Sequence, residues 1–284
     1  MQSRRKRLIR STGGDLTNFI ILMLGAAFSA LPLVFAISNA FKPLNELFLF
    51  PPQFFVRHPT LDNFKDLFIL IGDSWVPISR YLFNTLFITL AGTAGHVLFA
   101  SLAAYALAKH RFPGRNIFFA MVVLSLMFAH QVTAIPNYLI MSRLGWVNTY
   151  AAIIVPAWSM SLGLFLMKQF MEQVDESMLE AARIDGASEL AIFWNLVMPN
   201  VRPAWLTLTI LSFQMLWNES GGRFIYSEQL KTLPFALNQI IAGGVARAGV
   251  GAAVGVIMMI VPVVVFVFNQ SKVVQTMGSA GINK

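Results

Sequence analysis

The sequence predicts an all-α integral membrane protein with six transmembrane helices. Three observations carry this. The first is composition: 56% of the 284 residues are hydrophobic and 12% are charged, against about 25% charged in ordinary globular domains. A soluble chain this apolar would expose more apolar surface than solubility allows. The second is clustering. Apolar residues gather into six runs, 17–41, 80–109, 117–141, 150–171, 203–220 and 248–270. Crossing a bilayer takes about 20 apolar residues at about 1.5 Å per residue. The third is the placement of Lys and Arg between the runs, as the positive-inside rule describes.

The net charge is +8. In a soluble chain that would point to nucleic acid. Here the cations separate apolar runs, so membrane topology explains them and no nucleic-acid partner is expected. The chain has no Cys, which excludes disulfides and thiol chemistry.

Residues 1–16 form a cytoplasmic N-terminal tail in this reading, with Arg4, Arg5, Lys6, Arg7 and Arg10 against the single acid Asp15. A basic start before an apolar run, with Ser38-Asn39-Ala40 after it, has the look of a signal peptide. The run from Phe19 to Ala40 is too long for one, so 17–41 is read as an uncleaved first transmembrane helix. Residues 42–79 form an extracytoplasmic loop. Pro43, Pro51, Pro52, Pro59 and Pro77 forbid one long helix there. Phe48, Phe50, Phe54 and Phe55 are expected to pack on the bilayer interface or on the protein. Thr60-Leu61-Asp62-Asn63-Phe64 fits a capped helical turn.

Residues 80–270 form the core domain, with five transmembrane helices. Six spans put the loops Lys109–Arg115 and Lys168–Arg202, and the tail 271–284, on the cytoplasmic side with the N-terminus. The second run carries Asn84, Thr85, Gly92, Gly95, His96 and Ser101. Small residues let helices approach, and polar ones bond across helices or line a cavity. The third carries His130, Gln131, Thr133, Pro136 and Asn137, and a proline there frees backbone groups that cavity-lining helices tolerate. His130 has a plainer role as a hydrogen bond inside the bundle. The four His and few buried acids show no metal-ligand spacing. The fifth run ends in Trp217-Asn218-Glu219-Ser220. An aromatic beside polar groups suits a sugar and equally suits a Trp at the membrane interface. Asn84, His130, Gln131, Asn137, Trp158 and Asn218 are the substrate-pathway candidates, as polar and aromatic groups at membrane depth. Gly221–Arg247 is an outside loop. Gly251 and Gly255 have the spacing for close helix packing.

The longest polar interruption of the second half is Glu180–Pro203, inside the loop 172–202. Ser177-Met178-Leu179-Glu180 fits a capping box. Ala181 and Ala182 favour helix. Gly186 permits a sharp turn. Ala187–Val197 reads as a second short helix, ended by Pro199 and Pro203. The residues alone give a helix-turn-helix facing water, or a linker between two spans.

This stretch resembles the EAA loop of bacterial ABC-importer permeases, which runs Glu-Ala-Ala, two residues, Asp-Gly-Ala, then Phe-x-x-Ile-x-Leu-Pro and a second Pro. Glu180, Ala181, Ala182, Asp185, Gly186, Ala187, Phe193, Pro199 and Pro203 match it, with Leu196 for the Ile and Met198 for the Leu. The run Phe41-Lys42-Pro43-Leu44-Asn45-Glu46, Pro51-Pro52 and Thr60–Phe64, the tetrad Lys231-Thr232-Leu233-Pro234 and the tail Ser271–Met277 resemble maltose-type carbohydrate permeases. The tail also faintly resembles that of importers of uronate-containing oligosaccharides, which does not name the sugar.

The resemblance covers nearly the whole chain. It implies the type I ABC importer permease fold, a multi-pass inner-membrane location with both termini cytoplasmic, and a cytoplasmic coupling helix. Glu180, Ala181, Ala182, Asp185, Gly186, Ala187 and Phe193 would carry that coupling to an ATPase. The implied partners are a second, different permease, two copies of the ATPase, an extracytoplasmic solute-binding protein, a carbohydrate, expected to be an oligosaccharide, and membrane lipid. ATP and Mg belong on the ATPase, with no cofactor on this chain. In keeping with that, the sequence has no G-x-x-x-x-G-K-[ST] run and no Ser/His/Asp arrangement. Alternatives are an importer permease for a non-sugar solute, an ATPase-independent secondary transporter, which would carry intramembrane acids and inverted repeats, and a membrane enzyme, which would need a catalytic constellation.

Overall fold

The computed structural model describes residues 12–72, 75–128, 130–244 and 247–280. The cations Arg4 to Arg10 lie outside the described residues, as does the end of the tail from 281. So do the side chains of His130 and of the tail from Ser271 to 280. Among the described residues the secondary structure is helical, with no strand. The chain divides into two units by contact, Met1–Ile69 with Gly243–Val256, and Leu70–Ala242 with Ile257–Lys284.

The first unit is built on α1 (Thr12–Ala40), a long apolar helix whose side chains are bare over most of its length. The chain then folds back through a one-turn helix α2 (Leu44–Leu47) to α3 (Asp62–Gly72). Buried polar side chains hold this proline-rich segment. Glu46 accepts the backbone N–H groups of Arg57 and His58, and Asn63 donates to the carbonyls of Ala40 and Lys42. Thr60 accepts the N–H of Asp62 at the start of α3, as the capped turn predicts. Of the paired glycines at the start of α14 (Ala248–Ala280), Gly255 faces open space among the described residues.

The second unit is organised on α4 (Ile78–Lys109). Beside it lie α7 (Ala151–Trp158), α8 (Ser161–Glu172), α12 (Arg202–Trp217) and α13 (Leu233–Ile241). A Cβ on Gly95 would run into the Trp158 ring, so the glycine allows that close approach. His96 spans the same seam. Its Nε2 donates to the Met160 carbonyl at 3.2 Å, which leaves Nδ1 to accept the Ser212 hydroxyl at 2.8 Å.

Among the described residues, four helical stretches have the length and apolarity to cross a membrane: Leu16–Ala40, Ile78–Lys109, Ala151–Glu172 and Ala248–Phe268. The other two predicted runs differ. The third is two helices, α5 (Arg115–Ser125) and α6 (His130–Arg143). The Ser125 hydroxyl folds back on the Val122 carbonyl at 2.6 Å, which competes with the helix ladder where α5 ends. The fifth, α12, has 16 residues. It is about 24 Å long, short of the roughly 30 Å hydrocarbon core. The fourth run is interrupted at Ser159–Met160.

Candidate functional site

The predicted helix-turn-helix is present. Its first arm is α9 (Glu176–Ile184), which starts earlier than expected. Asp175, not Ser177, is the cap: its carboxylate accepts the Ser177 N–H at 3.0 Å, and that bond holds the Asp175 carboxyl below the usual range. The second arm starts at α10 (Glu189–Ile192), capped by Ser188, whose hydroxyl accepts the Ala191 N–H. It passes through a π-helical stretch, Phe193–Val197, into α11 (Met198–Asn200). Pro199 therefore does not end the arm. The wider π turn, in which the Met198 N–H reaches the Phe193 carbonyl, takes up the proline within the helical path, and the break falls at Val201.

Gly186 sits at the turn with φ +83°, a backbone angle that β-carbons resist. Around it, the coupling candidates divide into two groups. Glu180, Ala181, Asp185 and Gly186 face solvent. Glu180 forms no ion pair among the described residues. Phe193 is 1% exposed and lies in the core, its ring 5.4 Å from that of Tyr105. Ala182 and Ala187 are half-buried against the same core. These three tie the turn to the core. The apolar side chains that do stand in water were not singled out by the motif: Ile184 is 86% exposed, and Leu190, Met178 and Trp194 are also bare.

A polar clamp ties the turn to the end of α4. Glu189 accepts the Tyr105 hydroxyl at 2.7 Å on one oxygen and the Arg183 Nε–H at 2.8 Å on the other. Arg183 also lies 3.6 Å from Glu176, which lies 3.7 Å from Lys109. Lys109 donates to the Val174 carbonyl. Arg183 first, then Tyr105, hold the Glu189 carboxyl below the usual carboxylate range. Sequence reasoning missed this clamp. Glu176, Arg183 and Glu189 show an alternation of charge around the turn that could have marked it; nothing local marks Tyr105.

The pathway candidates do not gather at one place. Asn84 is fully buried with each polar atom used: its amide donates to the carbonyls of Gln229 and Lys231, and its oxygen accepts the Tyr150 hydroxyl at 2.7 Å. It is a structural tie: both amide donors are used and the side chain is closed off from solvent. Trp158, the last residue of α7, packs against α4, its ring 5.2 Å from Phe99 and its N–H on the Ala91 carbonyl. Gln131 is exposed. Asn218 is exposed and donates to the Gln214 carbonyl one turn back. Trp217 is buried with its N–H on the Met258 carbonyl, so it is neither a sugar platform nor an interface anchor. Asn137 lines a cavity of about 130 Å³ with Glu219 and Arg223, two residues that sequence reasoning did not select although Glu219 adjoins Asn218.

Comparison with known proteins adds the following. The family described as "binding-protein-dependent transport system inner membrane component" matches residues 96–277. The arabinooligosaccharides transport system permease protein AraQ of Halalkalibacterium halodurans is 32% identical, over 88% of this chain and 91% of the relative. Protein LplC of Bacillus subtilis is 32% identical over 75% of this chain and 70% of its own. The sn-glycerol-3-phosphate transport system permease protein UgpE of Pectobacterium atrosepticum is 29% identical over 73% and 74%. The structure is similar to a chain in the crystal structure of a bacterial ABC transporter involved in the import of the acidic polysaccharide alginate. There the TM-score is 0.72 at 23% identity, with 96% and 98% of the two chains covered. That likeness establishes a shared fold.

Proposed function

Because the chain belongs to the family of binding-protein-dependent transport system inner membrane components, we propose that it is one permease subunit of a bacterial ATP-driven importer whose cargo is a carbohydrate, an oligosaccharide delivered by an external binding protein. The relative named for arabinooligosaccharides supports the cargo. In this reading the loop 172–202 and both termini face the cytoplasm, and two copies of a separate ATPase bind ATP and Mg²⁺. A different permease completes the pathway.

The observation that carries the reading is the pair of bare apolar side chains at the turn, Ile184 and Leu190 beside Gly186. Covering an aliphatic side chain of this size is worth about 1.5–3 kcal/mol, so the turn is suited to docking on another protein. Closure of the ATPase pair on ATP would push the turn. Phe193, Ala182 and Ala187 pass that displacement to the core they share with α4, α8 and α12.

The test is uptake of arabinotriose into proteoliposomes holding the whole importer. Uptake that needs both ATP and the loaded binding protein is the expected result. Uptake without ATP would make the chain a secondary transporter. Uptake of sn-glycerol 3-phosphate in place of arabinotriose would keep the permease and replace the cargo.

A further inference from the structure

The cavity of about 130 Å³ between α6, α7 and the end of α12 is where spare polar groups of the second unit meet. Asn137 is half-buried, and its amide bonds to nothing among the described residues. Glu219 spends one carboxylate oxygen on the Gly221 N–H at 3.0 Å, and its other oxygen has no hydrogen-bond partner among the described residues. Arg223 forms no ion pair among the described residues. Asn137 lies within the third apolar run, and Glu219 and Arg223 follow the end of α12, so these spare polar groups meet at one end of the bundle, where a cavity lets a solute use them.

The backbone points the same way. Pro156 and Met160, both lining the cavity, belong to the interrupted stretch where α7 stops and α8 begins. Pro156 has no N–H, so the carbonyl one turn back loses its usual helical partner. Broken helices at membrane depth occur where irregular backbone lines a cavity, and transporter sites are commonly built from them. On the remaining side the Phe224 ring lines the cavity, stacked on Tyr138 at 12° and 6.4 Å between centroids.

Charge and size select the occupant. Glu219 and Arg223 cancel, so an anion would meet the carboxylate and a cation would meet the guanidinium. Hydroxyl groups use all three side chains without an unpaired charge. A volume of about 130 Å³ is below the roughly 300–1,000 Å³ of sites that enclose a drug-sized ligand. It holds one ring and not a chain.

We propose that this cavity is a subsite for one neutral sugar ring of the transported saccharide. Asn137 and the second carboxylate oxygen of Glu219 bond its hydroxyls, Arg223 donates to its oxygens, and Phe224 packs against its C–H face. The proposal rests on the reading of the chain as a carbohydrate permease.

The test uses the whole importer in proteoliposomes and the absence of native Cys. Arabinotriose is expected to slow maleimide labelling of Asn137→Cys several-fold, while sn-glycerol 3-phosphate does not. Ser142→Cys, exposed on the same helix, should label at one rate throughout. Arg223→Gln should lower arabinotriose uptake about tenfold, in line with the loss of a charged hydrogen bond, and Arg223→Lys should restore part of it. If the unaltered importer takes up arabinotriose while Asn137→Cys stays unprotected and Arg223→Gln transports normally, the subsite is wrong and the permease reading stands. If the unaltered importer takes up no arabinotriose, the carbohydrate reading falls and the subsite with it. Protection by sn-glycerol 3-phosphate alone would make the cavity an anion site and overturn the proposal.

Discussion

The two ends of α4 are tied by the same chemistry in opposite surroundings. At its start, Tyr81 donates to Glu228 at 2.8 Å, Asn84 holds the carbonyls of Gln229 and Lys231, and Thr85 accepts the Leu233 N–H at 2.8 Å. At its end, Tyr105 donates to Glu189 and Lys109 reaches the Val174 carbonyl. Both ends use a tyrosine hydroxyl on a glutamate and a side chain on backbone carbonyls. The difference is water. Asn84, Thr85, Lys231 and Thr232 are buried, whereas the side chains of Glu189 and Glu176 are 48% and 51% exposed. A buried bond that is broken leaves polar groups with nothing to replace it. An exposed ion pair is worth about 0–1 kcal/mol and exchanges with solvent. The start of α4 is therefore the fixed joint; at its end Tyr105 and the Lys109 side chain are buried too, but the half-exposed carboxylates make it the more easily displaced of the two, as the proposed coupling would require.

The largest test of this comparison asks whether the two joints lie on opposite sides of the membrane. In intact cells an impermeant thiol reagent should label Gln229→Cys and leave Ser188→Cys untouched. Labelling of Ser188→Cys would place both joints outside and end the comparison. Next in size is Asn84→Ala. It leaves two carbonyls and a hydroxyl without their partner, and should cost about 2–4 kcal/mol. Thermal unfolding in detergent would show it, and an unchanged midpoint would mean the fixed joint is not fixed by Asn84.

The movable joint should respond less. Tyr105→Phe and Glu189→Gln should each cost about 1 kcal/mol or less, and the double variant should cost less than the sum, because both remove one bond. Acid separates the joints further. Folding lowers the Glu189 pKa, chiefly through Arg183 and then Tyr105. Its contribution is whole above the ordinary carboxylate value of about 4.3 and is lost as pH falls through the lower folded value. The stability gap between the unaltered chain and Glu189→Gln should therefore close below about pH 4. A gap independent of pH would show that the carboxylate charge is not what holds the turn. The smallest effect is Glu180→Gln, which should leave the unfolding midpoint of the isolated chain unmoved, since Glu180 forms no ion pair among the described residues.

What the sequence made legible was local. Gly186 at a turn, a capped start at Thr60 and the two short arms all follow from residues a few positions apart, and all are present. The spacing of the motif could not say which of its members face outward. Phe193 and Ala182 are core because α4 and α8 pass behind them, and that is a fact of tertiary packing. Asn84 reads as a pathway residue in any polarity scan; its partners lie 145 and 147 positions away. Trp217 beside Asn218 suggested a sugar platform, and the contact that buries it comes from α14. The break after Ser125 has no proline or glycine to announce it, since it sits where a hydroxyl turns back on the chain.

The central claim is that the Gly186 turn couples this chain to ATP hydrolysis elsewhere. The most direct measurement is ATP hydrolysis by the assembled complex, with and without loaded binding protein, for the unaltered chain and for Gly186→Val. At φ +83° a branched side chain costs more than about 1 kcal/mol and moves Ile184 and Leu190 off their positions. Loss of stimulation by the loaded binding protein, in a complex that still assembles in the membrane, is the predicted result. Stimulation equal to that of the unaltered complex would mean that this turn is not the coupling element.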